Sequence, residues 1–138
     1  MAMKIIENDY IPVGDFDVMN ILGLLFVRKG TKLTDTIIRH EAIHTVQQYE
    51  ILTASALVAL VASNIYASWW YSLIAIAMPI VVYVLAWLVE LALPPYDTAY
   101  RDSPFEREAY MNQDDPMYLP KRPLFAWIQY ILRKKDRK

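Results

Sequence analysis

The only two histidines of the chain, His40 and His44, stand four residues apart with Glu41 beside the first, in the run HEAIH. At helical spacing i, i+4 both imidazoles project from one face, where they can bind a single ion. Glu41 projects next to them as a base for an activated water. The chemistry this pattern offers is hydrolysis on zinc, Zn2+. A catalytic zinc takes three protein ligands and keeps one open position. With no cysteine and no further histidine in the chain, the third ligand has to be a carboxylate. Glu106 and Glu108 in SPFEREAY are the first candidates, followed by Glu90, Asp97 and Asp102. The plain alternative is a surface helix whose histidines hold nothing.

Composition limits what can carry such a site. A length of 138 residues fits one domain, yet 56% of the chain is hydrophobic, with four Trp and ten Tyr. A soluble core of that size rarely absorbs so much apolar surface. Fourteen basic residues against fifteen acidic ones give no electrostatic case for nucleic acid. The absence of cysteine excludes disulfides and thiolate metal sites. The start, MAMKIIENDYIPVGD, lacks the basic-then-apolar order of a secretory signal.

The patterning predicts an α+β membrane protein in a single domain, 1–138. Strand-forming residues gather at Lys4 to Ile6, Tyr10 to Val13 and Asn20 to Arg28, so residues 1–34 read as two or three short strands. Gly30 closes the last, and Thr34 or Asp35 caps a helix that begins near Thr36 and carries HEAIH across 35–50. With no Gly or Pro before Pro79, that helix is expected to run on into the apolar region. Between Ile51 and Leu93 the only charge is Glu90, and two segments, Ile51 to Ala67 and Trp69 to Leu93, predict a transmembrane hairpin over 51–93. Polarity at Ser63, Asn64 and Ser68 marks its turn. Every Lys and Arg lies outside the hairpin, so the positive-inside rule puts both termini and HEAIH on the cytoplasmic side of the inner (cytoplasmic) membrane. His44 precedes Ile51 by about 10 Å of helix, which places the site just above the bilayer.

Residues 94–138 predict two more helices. In SPFEREAY, Ser103 suits the cap, Pro104 the first turn and Glu106 the acidic place of a capping box. PLFAWIQYIL, Pro123 to Leu132, is aromatic and apolar and precedes a basic run, as an interfacial tail helix would. HEAIHTVQQ followed at a distance by FEREAY resembles the gluzincin type of zinc metallopeptidase. In several such families a glutamate on a second helix opens an E-x-x-A or E-x-E-A pattern and completes the HExxH site; Glu106, Arg107, Glu108 and Ala109 match it. The chain is most similar to a group of small bacterial membrane proteins that join G-x-x-F-x-R, HE-x-x-H-x-x-Q, an apolar hairpin and AYR-x-x-x-FE-x-EAY. The matching residues are Gly23, Phe26, Arg28, His40, Glu41, His44, Gln47, Ala99, Tyr100, Arg101, Phe105, Glu106, Glu108, Ala109 and Tyr110. Tyr110 stands where better-known gluzincins often place Asp or Asn, and Asn112 comes two later, so the third ligand stays open between Glu106 and Glu108.

On these expectations His40, His44 and Glu106 or Glu108 hold zinc, and Glu41 is the general base. An oxyanion donor comes from Tyr100, Tyr110, Tyr118, Arg101 or Arg122, with Tyr110 preferred. Gln47 and Gln48 support or pack against the ligands, and Asn20 to Arg28 offers an edge for an extended substrate. Glu90 either snorkels to the interface or pairs within the protein. A di-iron reading fails because no second E-x-x-H exists. An intramembrane site is disfavoured by Asp35, Arg39, Gln47, Gln48 and Glu50 around the motif. The leading expectation is a membrane-anchored zinc metallopeptidase acting on a peptide or protein substrate at the cytoplasmic face. Its rival is a non-catalytic membrane subunit that keeps a metal site.

Overall fold

A computed structural model describes residues 3–12, 14, 16–92 and 99–131. Three strands, β1 (Lys4–Asn8), β2 (Val18–Ile21) and β3 (Leu24–Arg28), form one small sheet in the order β1-β3-β2. β1 runs parallel to β3, and β2 antiparallel to it. The stretch from Asn20 to Arg28, expected as one strand, is instead a hairpin. Leu22 and Gly23 both take positive φ, 49° and 83°, the geometry a two-residue turn between twisted strands requires. Tyr10 to Pro12 form no strand, because the Asn8 side-chain oxygen accepts the main-chain N–H of Tyr10 (2.9 Å) and Ile11 (2.7 Å) and turns the chain. Val13 lies outside the described residues.

α1 (Asp35–Tyr66) is a single helix of 32 residues that carries both HEAIH and the first apolar segment, as its lack of breakers predicts. Thr34 caps it by accepting the N–H of Ile37. Ala67, in the left-handed region, ends it, and α2 (Trp70–Leu91) returns alongside. Ser63 and Asn64, read as part of the turn, belong to the last helical turns; Asn64 Nδ2 donates back to the Leu60 carbonyl at 2.7 Å. Both helices are long and apolar enough to cross a membrane. Their outer faces are open: Leu57, Leu60, Ile65, Ile76 and Ile80 are each more than 60% exposed. A stripe that wide is foreign to a soluble helix.

The chain then makes α3 (Ala99–Asp102), α4 (Pro104–Asn112), α5 (Tyr118–Lys121) and α6 (Ile128–Ile131). α4 begins as expected, with Ser103 accepting the N–H of Glu106 at 3.3 Å and Pro104 in the first turn. The tail segment is not one helix, since Leu124 to Trp127 form turns and Phe125 takes a φ of 53° before α6. Ala126 and Tyr130 are buried, and Trp127 lies against Phe105 with ring centroids 4.8 Å apart. Leu124, Ile128 and Ile131 remain exposed. Asp97 and the basic run after Ile131 lie outside the described residues.

The buried centre sits where the sheet, the first half of α1 and α4 meet, around Leu25, Val27, Ile43, Phe105 and Ala109. α1 packs on β2 and α4. The hairpin turn is pressed close to α1, since a Cβ on Gly23 would lie 3.4 Å from Thr45 Cγ2. Gln48 fastens the same turn, accepting the Leu22 N–H (2.6 Å) and donating to the Asn20 carbonyl (3.1 Å).

Candidate metal centre

α1 presents His40 and His44 one turn apart, and α4 brings Glu106 across to them. His40 Nε2 and His44 Nε2 are 3.0 Å apart. Glu106 Oε2 lies 3.3 Å from His40 Nε2, and Oε1 lies 3.3 Å from His44 Nε2. One ligand atom from each of the three residues falls within 4.8 Å of the others, so the group could hold a metal ion. The Ser103 N–H, which a capping-box carboxylate would accept, is given to the Tyr100 carbonyl at 3.3 Å, while Ser103 Oγ accepts the Glu106 N–H. The capping box is thus half formed and the carboxylate is left for the site.

The far side of each ring meets a glutamine side chain. His40 Nδ1 is 3.0 Å from Gln113 Oε1, and His44 Nδ1 is 2.8 Å from Gln47 Oε1. The Gln47 amide has no choice of direction. Its nitrogen donates to the Phe105 carbonyl (3.2 Å) and to Glu108 Oε2 (3.0 Å), two pure acceptors, so its oxygen faces the imidazole. Nδ1 of His44 therefore carries a hydrogen and Nε2 is the atom left for a metal. Burial lowers the metal-free imidazole's pKa, but hydrogen bonding to Glu106 and its charge outweigh that and raise it to about 9, so that Nε2–H then faces the carboxylate. Tyr83, from α2, donates to the same Gln47 oxygen at 2.6 Å and sets its ring edge-on to His44.

Two imidazole nitrogens and a carboxylate thus converge on one point, where a proton or a cation is needed to relieve their repulsion. Glu106 Oε2 is buried without a hydrogen bond. That donor set fits a divalent transition metal, for which imidazole and carboxylate are ordinary ligands. Burial alone would raise the Glu106 carboxyl. Contacts with His40 and His44 and a hydrogen bond from Tyr100 outweigh it, and hold the group well below its ordinary value of 4.5.

Glu108, the other candidate, is engaged elsewhere. It is fully buried and accepts from Gln47, from the Tyr118 hydroxyl (3.0 Å) and from Arg122 Nε and Nη2. Arg122 also binds Glu50 through Nη1 (2.6 Å) and Nη2 (3.1 Å), and Glu50 accepts the Phe125 N–H at 2.7 Å. Glu108 is the anchor of Gln47 and not part of the histidine cluster. Glu90 pairs with Arg107 across 3.4 Å. It and Asp102 are likewise outside the cluster.

A cleft of about 550 Å³ opens beside the cluster. Glu41, His44 and Glu106 line it together with Asn20, Tyr83 and Tyr100. Of the expected oxyanion donors, only Tyr100 lines this cleft. Burial and the neighbouring Glu106 charge raise its hydroxyl well above the ordinary value of 10.0, so it stays protonated and able to donate. Tyr110 stands at the side, its ring 4.7 Å from the His40 ring and covered by the Arg101 guanidinium at 4.7 Å. Tyr118 and Arg122 are committed to Glu108.

Three residues of the site had no advance signal strong enough to place them. Gln113 lies beyond α4 in an ordinary polar stretch. Tyr83 could have been suspected as a hydroxyl in the middle of an apolar helix. Asn20 donates to the Glu41 carbonyl (2.5 Å) and to Thr45 Oγ1 (2.8 Å), and so ties β2 to the motif. No protein-family model, no curated protein and no solved structure matches this chain.

Proposed function

We propose that the protein is a membrane-anchored zinc metallopeptidase, held by α1 and α2 in the inner membrane and cleaving peptide bonds at its cytoplasmic face. One observation carries the reading: the converging donors of His40, His44 and Glu106 share a cleft with Glu41. Zinc is favoured over magnesium or calcium because two of the three donors are imidazole nitrogens. When bound, such an ion supplies a Lewis acid for the scissile carbonyl and lowers the pKa of a water at the open position.

The residues of the chain do the remainder. Glu41 takes the proton from the attacking water and returns it to the leaving amine nitrogen. Tyr100 donates to the oxygen on which negative charge develops. Gln47 and Gln113 hold the two rings with Nε2 inward. β2 is an edge strand, and the two-residue turn at Leu22 and Gly23, with the Arg28 N–H bonded to the Asp17 carbonyl, directs the main-chain groups of Val18 and Asn20 away from β3. Gln48 occupies the Asn20 carbonyl; Val18, one of the cleft residues, presents its N–H and C=O at the edge for an extended peptide.

A non-catalytic subunit with a structural ion would be better served by four protein ligands, and the cluster offers three among the described residues. The distribution of Lys and Arg supports the cytoplasmic orientation. Zinc analysis of the protein purified in mild detergent tests the reading. About one zinc per chain is expected in the wild type and in Glu41→Gln, with peptidase activity lost in the latter, and little zinc in His44→Ala. A wild type without zinc at neutral pH would sink it.

A further inference from the structure

We infer that the substrate is a peptide segment continuous with a bilayer-embedded stretch, which enters the cleft sideways from the lipid between β2 and α2. This rests on the peptidase reading and names its substrate class.

The first ground is depth. Tyr83, which contacts Gln47 and His44, stands about 20 Å from the start of α2 at the rise of an α-helix. A bilayer's hydrocarbon is ~30 Å thick. α2 stays apolar from Tyr83 up to Glu90, and Val84, Leu85, Trp87, Leu88 and Val89 in that stretch are all exposed. Along α1 the two histidines stand about 33–39 Å from Tyr66, so the cluster sits at the near edge of such a layer, level with the exposed apolar residues of α2. Ser55 Oγ, donating to the Ala75 carbonyl at 3.1 Å, fixes the same antiparallel alignment about 12 Å further along the hairpin.

The second ground is that the polar residues on the hairpin side of HEAIH, Gln47, Gln48 and Glu50, are satisfied within the protein, whereas Asp35 and Arg39 lie at the other end of the motif. Gln47 is spent on Glu108, Phe105 and His44, Gln48 on the β2–β3 turn, and Glu50 on Arg122 and Phe125. A side chain satisfied inside the protein places no aqueous boundary at its level. The third ground is the cleft itself. α2 contributes Val84 and Trp87 to it, and β2 contributes Val18 and Met19. Its volume is that of a site for several side chains. The apolar faces suit lipid or an apolar peptide; the sheet edge at Val18 selects the peptide, because a lipid chain has no N–H and C=O to pair with it.

The test uses full-length zinc-loaded protein in phosphatidylcholine and phosphatidylglycerol vesicles, with three synthetic probes. One joins a Leu/Ala transmembrane stretch directly to a randomised flank. The second inserts a long Gly/Ser linker between them, and the third is the free flank. Mass spectrometry locates each cut. The inference expects cuts within a few residues of the apolar boundary in both anchored probes, with the free flank cut at least about tenfold more slowly. A benzophenone amino acid in place of Trp87, in the Glu41→Gln background, should crosslink to the anchored probes and not to the free flank. Cuts spread through the flank of the linker probe, or equal rates for free and anchored probes, overturn the inference and leave the peptidase reading standing. No cut in any probe by zinc-loaded wild type overturns the peptidase reading, and the inference falls with it.

Discussion

The two ends of α1 solve opposite problems. Around its first half the interior is polar: Gln47, Glu50, Glu106, Glu108 and both histidines are buried, and each is held by named partners. Around its second half the exterior is apolar, and α2 buries only Ala75, Pro79 and Glu90. In the first half, order comes from directional bonds whose loss leaves a charge or amide stranded. In the second, on the proposed membrane reading, the exposed side chains lose little when changed, because hydrocarbon surrounds them before and after. Specificity is thus concentrated in the polar knot, and anchoring in the hairpin.

The sharpest break of this contrast is Arg122→Ala. It strands Glu50 and Glu108 in the interior, and a loss of about 3–5 kcal/mol is expected. Denaturant unfolding of the detergent-solubilised protein measures it; a loss under 1 kcal/mol would show the knot to be ornamental. Next come the ligands. Glu106→Gln should abolish stoichiometric zinc, whereas Glu108→Gln should keep most of it, and metal analysis of the two separates ligand from anchor. Acid should reach the same end as the first variant, because imidazoles must shed protons to bind metal, so zinc retention falls as pH drops. Glu106 sharpens the sign. Its depressed carboxyl stabilises the metal-free fold fully above 4.5, and that contribution is lost as pH falls below it. A thermal-unfolding series in pH would show stability falling on the acid side. Smaller again is Gln47→Leu, which frees the His44 ring and should weaken zinc affinity 10- to 100-fold by competition with a chelator. Smallest is Leu57→Ala on the open face of α1, expected within about 0.5 kcal/mol of the wild type. A large loss there would place that face against protein.

What the sequence allowed one to read follows the same division. The hairpin, the cap at Thr34 and the start of α4 at Ser103 rest on local composition and local hydrogen bonds, and they stand where expected. HEAIH and FEREAY also come together, through Glu106. The choice between Glu106 and Glu108 was not readable, since both are buried acids on one short helix. It is decided by Arg122 and Gln47, one from a later turn and one from another helix. The break at Leu22 escaped for a related reason, as a leucine at positive φ is paid for by Gln48 and Thr45 holding the turn, not by its own preference. Gln47 and Gln48 were expected beside the ligands, but their particular partners, and those of Glu50, were not readable because they are distant in the chain.

The continuity of α1 has a mechanical consequence. His40 and Tyr66 belong to one unbroken helix, so about 39 Å of rigid rod separates the ligands from the far turn with its stacked Trp69 and Trp70. Aromatic residues of that kind settle at a bilayer interface. With the hairpin spanning a bilayer as proposed, the protein is in this sense a gauge: with its far end seated, a thicker membrane draws His40 and His44 deeper and a thinner one lifts them out, while the distance between them stays the same.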